Sequence, residues 1–229
     1  LDDGSFPTAP ANLMQNPTAI PITATELLAE LRTAGLGAGD VLIVHASFKS
    51  LGPVAGGPAA VVTALLNALG PAGTLLMPTF ADPQTNGEFH VATTPRRTGA
   101  ITEAFRAHVG AVRSHHPTHA VTAAGPRAAE FIAGHEHTSG LGVASPFHRA
   151  ALAGASVLMI GCDLRAASIV HIATSTSARQ SACCLTLVTR WTPRSRCFRP
   201  IPPPCCVVVH IVRSAPGHER SRSESFRIR

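Results

Sequence analysis

The sequence predicts an α/β fold built on a parallel sheet, and three stretches carry that prediction. Val41–Val44 and Thr74–Met77 are short apolar runs of the kind that form strands buried on both faces. Between them, Val61, Val62, Leu65, Leu66 and Leu69 share one face of a helix over Ala59–Leu69. A strand, a loop, a helix and a strand within about forty residues form a βαβ unit, whose two strands run parallel. A third apolar run, Ser156–Ile160, reads as another buried strand of the same sheet.

In chain order, residues 1–22 form a polar, Pro-rich N-terminal arm. Its composition is unlike a signal peptide, and its first residue is Leu, as in a fragment or a processed start. Thr25–Arg32 is amphipathic, with Thr23 or Thr25 as its cap and Gly35 and Gly37 at its end. After Val41–Val44 the chain leaves the strand through His45–Ser50, and the Gly and Pro residues of Leu51–Pro58 turn it into the helix. Gly70-Pro71-Ala72-Gly73 stops that helix. Ala81–Arg97, with Pro83, Gly87 and Pro95, has no periodicity and reads as a long loop, of a length that often covers a site. Gly99–Arg106 is helical. Val112–Val121 packs His115, His116 and His119 beside Arg113, Ser114 and Pro117, and leads into a short strand at Ala120–Ala123. A helix over Pro126–Ala133 and a loop over Gly134–Gly142 follow. Ser145 caps a helix that has Pro146 at its first position. Beyond Ser156–Ile160, Gly161–Arg165 leads to a candidate helix at Ser168–Ala178.

Composition divides the chain into a body, 23–180, and a tail, 181–229. The net charge is +6, but residues 1–180 carry ten Lys and Arg against eleven Asp and Glu. The tail carries nine Arg and no Lys against Glu219 and Glu224, and five of the six Cys. No Cys pair has CxxC spacing, so no zinc site is expected, and adjacent Cys pairs are poor disulfide partners. Apart from Cys206–Val212 the tail has no helical or strand period; it reads as an irregular basic arm that does not complete the sheet. Its Arg, Pro and Cys content is what a shifted reading frame of a GC-rich gene would give. A near-neutral body argues against nucleic acid as the partner, no apolar run reaches the roughly 18 residues of a membrane span, and a cytoplasmic location is expected.

The run His45-Ala46-Ser47-Phe48-Lys49-Ser50-Leu51-Gly52, followed by Gly56-Gly57-Pro58 and Gly73–Phe80, resembles the aminoglycoside 3-N-acetyltransferase (antibiotic N-acetyltransferase) family. So do Gly99–Arg106, Arg113–His119 and Gly142–Pro146, in order and with near-ungapped spacing from about Thr25 to His171. The resemblance implies a three-layer α/β/α sandwich, incomplete at its C-terminus here. It implies acetyl-coenzyme A as donor and an amino group of a deoxystreptamine-type aminoglycoside as acceptor.

Residues and resemblance converge on a donor site. His45, Ser47, Phe48, Lys49, Ser50 and Gly52 bring hydroxyls, one cation and open backbone N–H groups, which suit a pyrophosphate or a pantetheine amide. The resemblance sets coenzyme A against this loop and against Arg113 and Ser114. The same loop could equally be a plain βα turn on its residues alone.

Amine acetylation needs a base, and histidine is the natural one near neutral pH. His116, His119 and His171 are the candidates. The resemblance favours His171 as the base, leaving His116 and His119 to shape the cleft or contact coenzyme A. Glu103 is a candidate to orient a histidine or bind a cationic antibiotic. Thr174 stands where the family has Glu, and a polycationic acceptor needs carboxylates. The reading is therefore an acetyltransferase, with a weakly active or non-catalytic coenzyme A-binding remnant as the alternative.

Overall fold

The computed structural model describes residues 20–81, 88–162, 164–169, 171, 184–188 and 206–212. Helix α1, Ala24–Thr33, opens with a reciprocal capping box. Thr23 Oγ1 accepts the Glu26 N–H at 3.2 Å, while Glu26 Oε2 accepts the Thr23 N–H at 2.8 Å. Strand β1, Val41–Ala46, is followed by a 3-10 turn at Phe48–Ser50. Helix α2 begins at Gly57, two residues before the apolar stripe starts, because Pro58 in its first turn needs no hydrogen-bond acceptor; it runs to Leu69. Strand β2 (Thr74–Pro78), helix α3 (Ala100–Arg106), strand β3 (Val112–Arg113) and strand β4 (Val121–Ala124) come next. Helix α4 (Ala128–Ile132), helix α5 (Pro146–Leu152) and strand β5 (Ser156–Ile160) complete the body. The α5 cap is Ser145, whose Oγ accepts the His148 N–H.

Among the described residues the strands form one seven-stranded sheet, ordered β3-β4-β2-β1-β5-β7-β6, with β6 at Cys184–Val188 and β7 at Cys206–Val212. The βαβ expectation holds: β1 lies parallel to β2, with Val41 opposite Thr74, and parallel to β5, with Ile43 opposite Val157. Strand β4 is antiparallel to that core, and β3, antiparallel to β4, runs in the same direction as the core.

Side-chain alternation along the three central strands makes the layers. Leu42, Val44, Leu75, Met77, Leu158 and Ile160 face α1, α2 and α3 in one core. Ile43, Leu76, Val157 and Met159 face α4 and α5 in the other. Phe105 anchors the first core and Phe131 and Phe147 the second, all with no exposed surface. Each contributes roughly 1.5–3 kcal/mol of burial. The result is the three-layer α/β/α sandwich.

The expectation that 181–229 stays off the sheet needs correction. Strand β7 lies parallel to β5, with Val157 opposite Val209, and β6 lies parallel to β7. The physical reason is local: Cys206-Val207-Val208-Val209-His210-Ile211-Val212 is a β-branched run, and β5 offers it an edge. The remainder of the predicted tail, most of the N-terminal arm and most of the candidate helix at Ser168–Ala178 lie outside the described residues.

Candidate active site

The connections leave β1 in opposite senses. From its C-terminal end the chain passes through α2, on one face, to β2. It returns through α4 and α5, on the other face, to β5 on the far side of β1. Open α/β sheets bind ligands at such a point, outside the carboxyl ends of the strands. The loops there are Ser47–Gly52 from β1 and Gly161 onward from β5. They pack tightly: a Cβ on Gly161, at φ +64°, would come within 2.8 Å of Ser47 O and 2.9 Å of Ser50 Cβ. Ser47 N–H donates to Ile160 O at 2.8 Å, and the Ser47 and Ser50 hydroxyls share a hydrogen bond of 2.9 Å. Lys49 and Ser50 are exposed, Phe48 is half-buried, and Gly52 takes the left-handed conformation at φ +77°.

His45 does not lie on that surface. It is buried beneath the loop, edge-on to Phe147 at 6.0 Å, and its Nε2 has no hydrogen-bond partner. Burial pushes its pKa down to about 4, so it is neutral. Its carbonyl accepts the Cys162 thiol at 3.3 Å.

The second wall is the segment before β4. Ala81 N–H donates to Thr118 O and Thr79 N–H to Ala120 O, which fastens 118–120 to the carboxyl end of β2. A histidine cluster sits on this wall. His116 stacks at 4.7 Å on His135 and lies 5.6 Å from His119, and Phe80 meets His119 edge-on at 5.0 Å. His116 Nδ1 accepts the backbone N–H of His119 at 3.0 Å and of Thr118 at 3.3 Å. That nitrogen is therefore an acceptor and carries no hydrogen. Burial, and then the neighbouring His119, hold the His116 pKa below the usual histidine range. His119 is lowered by burial first and by His171 second, which places His171 within electrostatic reach of the cluster. His171 itself is exposed, with its backbone N–H donating to Ser168 O.

His135 went unrecognised in the sequence, yet it is the buried end of the cluster, with no exposed surface. Its Nε2 faces Gly140 O at 3.1 Å, so Nε2 carries the hydrogen. Nδ1 then accepts from Ser114 Oγ at 2.8 Å, and Ser114 Oγ accepts the Val121 N–H at 2.9 Å. Burial drives its pKa down to about 4, against the raising effect of the Gly140 carbonyl. The available signal was its place just after Gly134, which turns the chain inward at φ +63°.

Two predicted roles change. Glu103 accepts from Arg106 Nε and NH2 at 3.1 and 2.6 Å and from Arg96 Nε at 3.2 Å. Its carboxylate is neutralised by two guanidiniums, and no histidine shares it among the described hydrogen bonds. Arg113 is buried, and its terminal nitrogens donate to the carbonyls of Thr79 (2.7 Å), Thr94 (2.8 Å) and Val91 (3.1 Å). It braces the loop after β2 instead of presenting a free cation. Burial and the nearby Arg106 lower its pKa to about 10, so it stays charged. Ser114, equally buried, holds His135.

A groove at the opposite end of the sheet, lined by Leu28, Arg32, Leu66, Asn67, Pro71 and Gly125, has only Arg32 as an ionisable group, so it offers no base. Among the described residues no cluster of three metal-ligating side chains occurs, and no helix is long and apolar enough to cross a membrane.

Comparison with known proteins identifies relatives of this chain. A family model described as aminoglycoside 3-N-acetyltransferase matches residues 43–191. Aminoglycoside N(3)-acetyltransferase VII of Streptomyces paromomycinus is 34% identical over 171 residues, covering 66% of this chain and 59% of its own length. Aminoglycoside N(3)-acetyltransferase VIII of Streptomyces fradiae is 33% identical, with 66% and 60% covered. The chain thus spans about 60% of the length of the curated relatives it matches. Among solved structures, aminoglycoside acetyltransferase AAC(3)-IIb superposes with a TM-score of 0.66 at 31% identity, covering 69% of this chain and 65% of that one. A binary complex of AAC-IIIb with CoASH superposes with a TM-score of 0.62 at 30% identity, covering 66% and 63%. AAC-VIa bound to sisomicin does so with a TM-score of 0.64 at 32% identity, covering 67% and 65%.

Proposed function

This chain belongs to the aminoglycoside 3-N-acetyltransferase family, and from that membership we propose that it binds acetyl-coenzyme A and transfers the acetyl group to the 3-amino group of a 2-deoxystreptamine aminoglycoside. The observation that carries the reading is the packing of the Ser47–Gly52 turn against Gly161, at the point where connections leave the sheet in opposite directions. Such a turn, followed by the open N-terminus of α2, presents N–H groups and hydroxyls to an anionic donor. Ser47, Lys49 and Ser50 would contact it, Phe48 would border the pantetheine, and Gly52 would keep the backbone within reach.

His45, Arg113 and Ser114 support the walls from below. The histidine cluster would line the path of the acceptor amine, close to where a base is needed. Acetyl-coenzyme A is an intracellular metabolite, so the reaction belongs in the cytoplasm. Glu103 is already neutralised by Arg96 and Arg106. That favours, as a second reading, a chain that holds coenzyme A but engages a polycationic acceptor weakly.

Calorimetry with coenzyme A, followed by thiol release from acetyl-coenzyme A in the presence of sisomicin, tests both. Binding with aminoglycoside-dependent thiol release is expected. Binding without release leaves the second reading, and absence of binding rejects both.

A further inference from the structure

We propose that the loop 134–144 is a proton-operated flap over the histidine cluster, shut while His148 and His116 are neutral and released when they are protonated. Release needs no substrate, so the inference stands apart from the acetyl-transfer reading above.

Both ends of the loop are left-handed. Gly134 takes φ +63° freely, but Ala144 takes φ +64°, a conformation that crowds its Cβ against the backbone. Such strain persists only where the surroundings impose it. One group that imposes it is His148 on α5, whose Nδ1 accepts the Ala144 N–H at 3.3 Å. A backbone N–H can only donate, so this nitrogen carries no hydrogen. Protonation puts a hydrogen there, and donor then faces donor.

His116 is placed in the same way on the opposite wall. Its Nδ1 accepts the N–H groups of His119 at 3.0 Å and Thr118 at 3.3 Å, and protonation abolishes both bonds. Its ring stacks at 4.7 Å on His135 of the loop. Gly140 presses the loop onto the same wall, since a Cβ there would come within 2.5 Å of His119 Cγ. Within the loop only His135 and Gly142 are buried, and Leu141 packs in part against the second core. Little apolar surface is left to hold the loop once these bonds are lost.

The charges around both rings oppose the uptake of a proton. His148 has Arg149 beside it on α5, while His116 has His119 and His135, with His171 beyond. The acids on α4 and on the loop, Glu130 and Glu136, lie beside Arg127 and His137. Burial first, and then Arg149 for His148 and His119 for His116, hold both rings below the usual histidine range. The shut form therefore binds protons less readily than the released form. It is favoured above about pH 6.5 and gives way as the pH falls below that value.

Hydrogen exchange of the full chain, read by NMR at each amide, tests this, because each latch has its own reporter. The Ala144 N–H reports on His148 and the His119 N–H on His116. Protection of both amides is expected to fall from pH 7.5 to 5.5. Val44, in the centre of the sheet, should stay better protected than either, since the flap opens with the sheet intact. Asparagine can offer an oxygen near the Nδ1 position but does not titrate. His148→Asn should match the parent at pH 7.5 and protect Ala144 about tenfold better at pH 5.5, the change expected for one proton over one pH unit. His116→Asn should do the same for His119. His148→Ala should lose Ala144 protection already at pH 7.5. Parent protection that ignores pH, an Ala144 amide that opens only together with Val44, or a His148→Asn variant that still loses protection as the parent does would each overturn the flap.

Discussion

Ser114 Oγ lies 2.8 Å from His135 Nδ1 and ties the start of β4 to the loop that closes over the histidine cluster. The hydroxyl takes the Val121 N–H and gives its own hydrogen to His135, which hands one on from Nε2 to Gly140 O. The first two links are buried and the last is partly so, and the direction of each follows from the one before. Such a chain is stable while complete and costly when cut, because an unpaired polar atom in the interior keeps its full desolvation penalty.

Ser114→Ala cuts it in the middle, orphaning Val121 N–H and His135 Nδ1. A loss of about 1–3 kcal/mol in unfolding free energy is expected, read from urea denaturation. A midpoint within error of the parent would mean that solvent reaches the site.

The two deeply buried histidines make stability depend on pH. His45 and His135 have folded pKa values near 4, well below the value of about 6.5 expected in the unfolded chain. Between those pH values the unfolded state binds more protons, so stability rises with pH. It is fully present above about pH 6.5 and falls as the pH drops toward 4, by about 1.4 kcal/mol per pH unit for each histidine. Denaturation midpoints at pH 7.5 and 5.5 check this, and replacing His45 with Gln should flatten the profile. Equal midpoints in the parent would contradict the burial of both rings.

Much of this was legible in the sequence, for identifiable reasons. The strands β1, β2 and β5 are unbroken apolar runs, and the βαβ spacing leaves β1 and β2 little choice but to be parallel. The direction of β4 was not legible, because Ala120–Ala123 looks the same either way; the tight return from Arg113 to Val121 sets it only against β3, and the pairing with β2 is tertiary. The turn after β1 was legible from its Gly, Ser and Lys residues following a strand. His135 did not, because Gly-His-Glu-His-Thr-Ser reads as a solvated loop and only tertiary packing buries its first histidine. Glu103 failed for the opposite reason. It was visible as an acid on a helix, but Arg96, which helps neutralise it, belongs to a loop whose path no local pattern encodes.

Gly161→Ala should damage donor binding more than stability. The added Cβ would meet Ser47 O at 2.8 Å and Ser50 Cβ at 2.9 Å, at a backbone conformation that disfavours any side chain. The Ser47–Gly52 turn is the softer partner, since β5 is paired on both sides. A displacement there should weaken coenzyme A by about tenfold, equivalent to roughly 1.4 kcal/mol, as measured by calorimetry. Undiminished affinity would move the donor off this turn.

Arg113→Lys separates a brace from an anion contact. The guanidinium reaches Thr79, Thr94 and Val91 carbonyls at once, which a single ammonium cannot do. The aromatic face of Phe89, 5.1 Å from the guanidinium carbon, adds a stacking contact that lysine would make less well. Lysine keeps the charge, so a direct contact with an anionic donor would survive in large part. A brace would not: the carbonyls would lose donors, and the loop from Val91 to Thr94 would loosen. The expected result is a destabilisation of about 2–3 kcal/mol, with proteolysis between residues 88 and 98 becoming faster. Coenzyme A affinity, measured where the variant is fully folded, should stay close to that of the parent and show the same salt dependence. A Lys variant of parental stability that has lost salt-sensitive binding would put Arg113 on the donor after all.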